Sequence, residues 1–324
     1  MTKKTKPSIK LGFTSGVSII SAVFIFALLL KNSFLTSIAV RDALKICATM
    51  LIPSLFPLTV ASEIMTSSGA IEKLTRKFAN PISKILGVSP KATIPYFLGL
   101  FGGYTSSCKS AVFLYQNGKI SKNDCESIIA LSNMPSMAFL TGFIGLGIFS
   151  SANIGWILWT ITILSTLILG LINKFIFKKE TNLYRINSNS QESNKGFSKI
   201  FVDAIGHSAY AMLIICACVV FFSVLIAVLK QYFIKIPLFE DAKNILFGML
   251  EITQGINTCA NIPNLLARAT ACAFLTGWSG LCVHFQVIAL CENADISFKK
   301  YFIFKGLQGL ICTLLAWIVF SFKL

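Results

Sequence analysis

Residues 95–113 read PYFLGLFGGYTSSCKSAVF. The stretch is apolar enough to enter a bilayer, yet Gly99, Gly102 and Gly103 interrupt it. Thr105, Ser106, Ser107 and Cys108 follow, and one cation, Lys109, precedes the return to apolar residues. An ordinary spanning helix satisfies its own backbone and has no use for such a break. Irregular backbone at membrane depth survives only where protein buries it or where it lines a wet cavity. A pair of interrupted segments, one in each half of a chain, is the sequence pointer to a transporter's substrate site. The second such stretch is 271–290, ACAFLTGWSGLCVHFQVIAL. The fold class that follows is an all-α polytopic membrane protein, with the other spans as scaffold around these two segments.

The composition agrees. Of 324 residues, 55% are hydrophobic and 13% charged, against about 25% charge in a soluble domain, and the mean hydropathy is +0.73. The net charge of +16 raises nucleic acid as a partner. However, Lys and Arg sit in the short gaps between apolar runs, where the positive-inside rule puts them. Nucleic acid is therefore set aside, and the lipid bilayer is the expected surroundings. Of the ten cysteines, Cys47, Cys216, Cys218, Cys259, Cys272 and Cys312 lie inside apolar runs without zinc-type spacing. They read as small buried apolar residues, and no metal or cofactor is expected.

In chain order, MTKKTKPSIK precedes an apolar run at 11–30 that is long for a cleaved leader and reads as a retained first helix with a cytoplasmic N-terminus. Residues 43–68 carry Pro53 and Pro57, which kink a helix, and Glu63 near the end, either at the interface or turned inward. Residues 71–87, with Lys73, Arg76, Lys77 and Lys84 between apolar positions, read as a basic amphipathic helix on the membrane surface, broken near Pro81. Ser121 caps a helix to about Leu131, and SNMPSMAF at 132–139 breaks it. A plain span at 154–177, a polar basic loop at 178–199, a span at 205–229, a polar-rich segment at 245–262 and a last span at 301–320 complete the chain. The division expected is a tail and first helix (1–42), a first repeat with a connecting helix (43–177), a cytoplasmic loop (178–204) and a second repeat (205–324).

If every apolar segment crossed once, the basic loop would fall outside. A re-entrant hairpin at 94–116 returns it to the cytoplasm, and the matching form is expected at 271–291. Residues 102–121 and 279–297 share a small-Gly pair, an apolar run, a polar turn and Ile-Ser. Counting spans from a cytoplasmic N-terminus makes these units inverted. That puts Lys230, Lys235, Lys243, Lys299 and Lys300 outside, against the charge rule.

GLFGGYTSSCK (99–109) resembles the GYPxGAK-type motif of the YlbJ family of sporulation integral membrane proteins, within the wider Gate or nucleoside-recognition group. LIPSLFPL (51–58), SNMPSMAF (132–139), LEITQG (250–255) and SGLCVHFQ (279–286) follow in the family's order, so the resemblance spans about 43–320. Thr105 stands where the motif has Pro, and Ser107-Cys108 where it has Gly-Ala. The resemblance implies a fold like that of concentrative nucleoside transporters, a place in the bacterial cell membrane, and movement of a small polar solute in a spore-forming bacterium. Dipicolinate is the solute implied by the family's best-known role.

The residues point to a small anionic or polar solute on their own account. A cation in an apolar setting, Lys109, is a functional candidate, with snorkelling to headgroups as the other reading. Broken helices present free N–H groups and a positive dipole end, and Gly102, Gly103 and Gly280 let a ligand approach backbone. Tyr104, Ser106, Ser107, Asn133, Glu251, His284 and Gln286 complete the candidate binding set, with Gln254 beside them. Asn133 as a cap and His284 as an interhelical bond are the structural alternatives. Ser106 and Lys109 form S-x-x-K, the spacing of Ser/Lys acyl-transfer sites, but no S-D-N or K-T-G accompanies it, and an enzyme is not expected. A nucleoside-type transporter and a non-transporting assembly or signalling protein are the alternatives. A coupling ion and a homo-oligomer are left open as further partners.

Overall fold

The computed structural model describes residues 14–176, 196–233 and 240–322. The tail ahead of residue 14, most of the basic loop and Lys235 lie outside the described residues. The described elements are all helical, with no strand among them. Five helices are long and apolar enough to cross a membrane: Ser33–Met65, Ala152–Ile176, Phe197–Tyr232, Leu265–Leu290 and Lys299–Ser321. Their outward faces stay apolar, with Phe34, Leu171, Leu213, Leu314 and Trp317 all exposed, as lipid contact requires. The cysteines are free, and eight of the ten are buried.

The chain opens with α1 (Thr14–Lys31) and α2 (Ser33–Ile46). A π-helical turn, Cys47–Leu51, leads into α3 (Ile52–Ser67). It widens the backbone just ahead of Pro53, whose ring clashes with the carbonyl four residues back in a regular helix. Then α4 (Ala70–Leu86) exposes Lys73, Arg76, Lys77 and Lys84 and turns Leu86 inward. It runs through Pro81 without the expected break. Gly87, at φ 67°, ends it against the span that holds Lys174, where a Cβ would stand 2.9 Å from Lys174 Cα.

Next is α5 (Thr93–Gln116), which departs from helical geometry at Gly103 (φ 77°, ψ −163°). Eight residues apart on a straight helix means about 12 Å, yet a Cβ on Gly99 would lie 3.2 Å from Ser107 Cβ. The two arms of α5 therefore lie side by side. After it come α6 (Lys122–Ser132), an unwound stretch at 133–136, a π-helical segment (Phe139–Ile148) and α7 (Ala152–Ile176). Ser121 caps α6, accepting the Asp124 N–H at 3.0 Å. The second half contains α8 (Phe197–Phe233), α9 (Glu240–Gly248), α10 (Ile252–Cys259), α11 (Leu265–Trp278), α12 (Leu281–Leu290) and α13 (Lys299–Ser321). Here α9 and α10 form the doubled-back pair, since Gly255 approaches Gly248 so closely that a Cβ on it would collide with Gly248 Cα.

Loop contacts sort the helix ends onto two faces. On one, Ser89 N–H donates to Asp124 Oδ1 at 3.2 Å, Gln116 Nε2 to Asn293 O at 3.3 Å and Ser297 N–H to Glu126 Oε1 at 2.8 Å. Lys122 pairs with Asp295 there at 2.8 Å. On the other, Arg268 donates to Ile262 O at 2.8 Å, and its guanidinium lies 5.7 Å over the Phe149 ring. Both ends of α5 thus reach the first face, while α9 and α10 open onto the second. The first face also carries α4, Lys119, Lys122, Lys299 and Lys300, and we call it the basic face.

Three expectations change. The stretch 271–291 is not a hairpin: α11 and α12 form one interrupted crossing, and the doubled-back unit of the second half is α9–α10. Residues 102–121 and 279–297 are not inverted counterparts. The second arm of α5 and α12 run side by side in the same direction, with Cys108 Sγ 3.4 Å from Cys291 Sγ. They read alike because both are glycine-opened helices feeding a polar turn on one face. Lastly, Lys299 and Lys300 share the face of Lys122, where Lys300 donates to Asn123 Oδ1 and Ser127 Oγ, so they no longer oppose the charge rule. Lys230 and Lys243 remain toward the opposite face.

This arrangement is open to labelling. In a cysteine-free background, single cysteines at Lys91 and Lys119 are expected to react with an impermeant maleimide from the same side of sealed vesicles, and one at Ser151 from the other side. Reaction of the first two from opposite sides would mean that α5 crosses fully.

Candidate functional site

Each half supplies one doubled-back tip and one interrupted helix, and each tip touches its own half's interruption. Gly103 sits where a Cβ would meet Ser136 N at 3.1 Å, in the unwound stretch after α6. Gly280, at φ 83°, sits where a Cβ would meet Ile252 N at 3.0 Å. The second contact is also hydrogen-bonded: Leu281 N–H donates to Met249 O (2.8 Å), Cys282 N–H to Leu250 O (3.0 Å) and Trp278 Nε1–H to Met249 O (3.0 Å). Carbonyls freed at the α9–α10 tip are thus satisfied by the start of α12, which is what buried irregular backbone demands.

Between the two tips lies a cavity of about 90 Å³, room for several waters by this measure. Its polar lining comes from Gly102, Gly103, Tyr104, Thr105, Ser136, Glu251, Thr253 and Gln286, and its apolar wall from Leu51, Leu55, Phe139, Ile215 and Val219. Glu251 is 1% exposed and caps α10, accepting Thr253 N–H at 3.0 Å and Gln254 N–H at 2.7 Å. A carboxylate at that N-terminus stabilises both the free N–H groups and the dipole.

Beside the cavity runs a buried polar chain. The His284 Nδ1 and Tyr301 hydroxyl bond at 2.7 Å, and Tyr301 donates to Asn133 Oδ1 at 3.2 Å. Lys305 Nζ donates to Asn133 O and to Gln308 Oε1, both at 2.7 Å, and Gln308 Nε2 reaches Ser165 Oγ at 3.4 Å. Asn133, His284, Tyr301, Lys305, Gln308 and Ser165 are all at most 1% exposed. His284 Nε2 and Asn133 Nδ2 have no hydrogen-bond partner among the described residues.

The sequence-derived residues divide accordingly. Gly102, Gly103, Tyr104, Glu251 and Gln286 line the cavity, and Gly280 makes the second tip contact. Asn133 and His284 belong to the adjoining chain. Ser106 bonds its own helix at Gly102 O (3.2 Å), Ser107 bonds Ser132 and pins α5 to α6, and Gln254 turns to Ser223 on α8 (2.8 Å). Lys109 is a correction. It is exposed on the side of α5 that carries exposed Phe113 four residues on, while Ser107, Cys108, Ala111 and Val112 face inward. Helical phase thus turns it away from the cavity, which Ser106 does not line either. The cation buried beside the cavity is Lys305, which the sequence reading passed over inside the last span. Lys305 and Gln308, three residues apart in an apolar helix, were the signal, because a polar pair on one face of a span needs a protein-side partner.

Glu251→Ala removes two charge-assisted bonds at the α10 tip, each worth about 1.5–3 kcal/mol. Purified Glu251→Ala is expected to melt several degrees below wild type in detergent, with Glu251→Gln falling between. Unchanged melting in the alanine variant would contradict the capping role.

Among curated proteins, the chain is similar to the sporulation integral membrane protein YlbJ of Bacillus subtilis (strain 168). The two are 25% identical over 321 residues, covering 89% of this chain and 78% of that protein. No protein-family model and no solved structure matches it. The match bears out the resemblance drawn from the short motifs: over most of its length the chain is similar to YlbJ, and its long apolar helices mark a multi-pass integral membrane protein.

Proposed function

We propose that this protein moves a small polar solute bearing an anionic group across the membrane of a spore-forming bacterium, with a dipicolinate-type carboxylate as the first candidate. The observation that carries the reading is the meeting of four helix N-termini at one buried cavity: the second arm of α5, the π-helical segment after Ser136, α10 and α12. Each brings a positive dipole end of roughly half a charge. Glu251 neutralises the one at α10, and the N–H groups that open α12 are taken by the Met249 and Leu250 carbonyls, which leaves the second arm of α5 and the segment after Ser136 for a solute. Solute sites at the crossing of discontinuous helices are the general design of carriers built from paired repeats. In this reading α5 and α9–α10 act as re-entrant hairpins, entering from opposite membrane faces as in a concentrative nucleoside transporter. The basic face lies toward the cytoplasm under the positive-inside rule. The sporulation role named for the similar B. subtilis protein fits this setting.

The test is uptake into proteoliposomes across a panel of small carboxylates, dipicolinate included, and nucleosides. Saturable accumulation of a carboxylate is expected. Gln286→Ala, which strips a polar group from the cavity wall, is expected to lower uptake about tenfold, equal to about 1.4 kcal/mol. Lys109→Met is expected to transport like wild type at equal protein level. Nucleoside uptake alone would move the solute class, and no accumulation of any panel member would favour a non-transporting assembly or signalling role.

A further inference from the structure

Lys305 poses a problem that the cavity does not solve. Its side chain is fully buried, and a buried ammonium is costly unless it is paired and hydrogen-bonded. Among the described residues no carboxylate lies within ion-pair distance of it. Its contacts are instead all oxygens and an aromatic face: Asn133 O at 2.7 Å, Gln308 Oε1 at 2.7 Å, and the Tyr104 ring with its centroid 6.0 Å away.

Asn133 is the residue at which α6 stops, with φ −78° and ψ 83°. The last carbonyls of a helix have no partner within it, and the dipole makes that end negative. An unwound carbonyl at a half-helix C-terminus, an amide oxygen on a facing helix and a π face together form a donor set for a monovalent cation. The ammonium fills it, arriving on a four-carbon stem from α13. Asn133 also places its side-chain oxygen on Tyr301, which His284 holds in turn, so the carbonyl's orientation is fixed by partners other than Lys305.

We infer that the interruption after α6 is a monovalent-cation site occupied by the chain's own Lys305 ammonium. The inference deepens the transport reading, since such a protein uses no inorganic cation at this position. It rests on geometry that exists whether or not the solute has been identified. Truncating the stem opens the site to a free cation of similar size, with potassium, ammonium and methylammonium as the natural occupants.

The experiment is thermal unfolding of the purified full chain in detergent, at constant ionic strength, with choline exchanged for each test cation. Lys305→Ala is expected to melt below wild type in choline and to regain about 3 °C or more in millimolar methylammonium, ammonium or potassium, as a ligand that binds only the folded state stabilises it. Wild type is expected to melt at the same temperature in all of them. Lys305→Ala without response to any of these cations would overturn the inference. Specific stabilisation of wild type by one cation would overturn it as well, and that arm stands even if the variant does not fold. Because melting is read without solute, an absence of uptake in vesicles would fail the transport reading and leave this result separate.

Discussion

The structure depends on one constraint: backbone that leaves helical geometry at membrane depth must find hydrogen-bond partners within the protein. Among the described residues the chain leaves it inside the bundle at Gly103, 133–136, 249–251 and 279–280. It meets the constraint by bringing them together in pairs. In the second half the partners are explicit, because the N–H groups that open α12 are given to the carbonyls that close α9. In the first half Gly103 meets Ser136, whose hydroxyl accepts the Phe139 N–H at 3.2 Å and starts the next segment.

Close approach at these tips accounts for the glycines and for the direction of the chain. Gly103 and Gly280 hold positive φ against another backbone, a conformation and a space that suit only glycine. Gly248 and Gly255 let α9 and α10 touch. Once the tips are fixed, the N-terminal ends of the outgoing helices necessarily point to one centre. The polar cavity, the carboxylate of Glu251 and the buried Lys305 chain follow as ways of balancing that concentration of donors and partial charge.

Much of this was legible from residue type and spacing. The all-helical membrane class, the break around Gly103, the Ser121 cap, the basic α4 and the interruption at SNMPSMAF all follow from local chemistry, and the structure has each of them. What misled was register between distant segments. Residues 279–297 resemble 102–121 because both open with glycine and end in a polar turn, whereas α9–α10, the segment that doubles back, hides its Gly248–Gly255 contact inside an ordinary-looking apolar run. The same limit explains the cations. Lys109 stands next to the glycines in sequence but on the outer phase of its helix, while Lys305 reaches the centre from a span 172 residues past Asn133, its carbonyl partner. The Lys305–Gln308 pair marks a protein-facing side of α13, but nothing local to either lysine reveals which distant segment that side meets.

The central claim is that the two doubled-back tips, entering from opposite faces, meet at one cavity. It is tested most directly by a pair of cysteines at Thr105 and Thr253, one on each tip and both on the cavity wall, in a cysteine-free background within native membranes. A short bifunctional thiol reagent is expected to join 105 to 253, shown by resistance of the full-length chain to separation after cleavage in the loop between the halves. Failure to crosslink this pair and its immediate neighbours, with each single cysteine still reactive, would contradict the account.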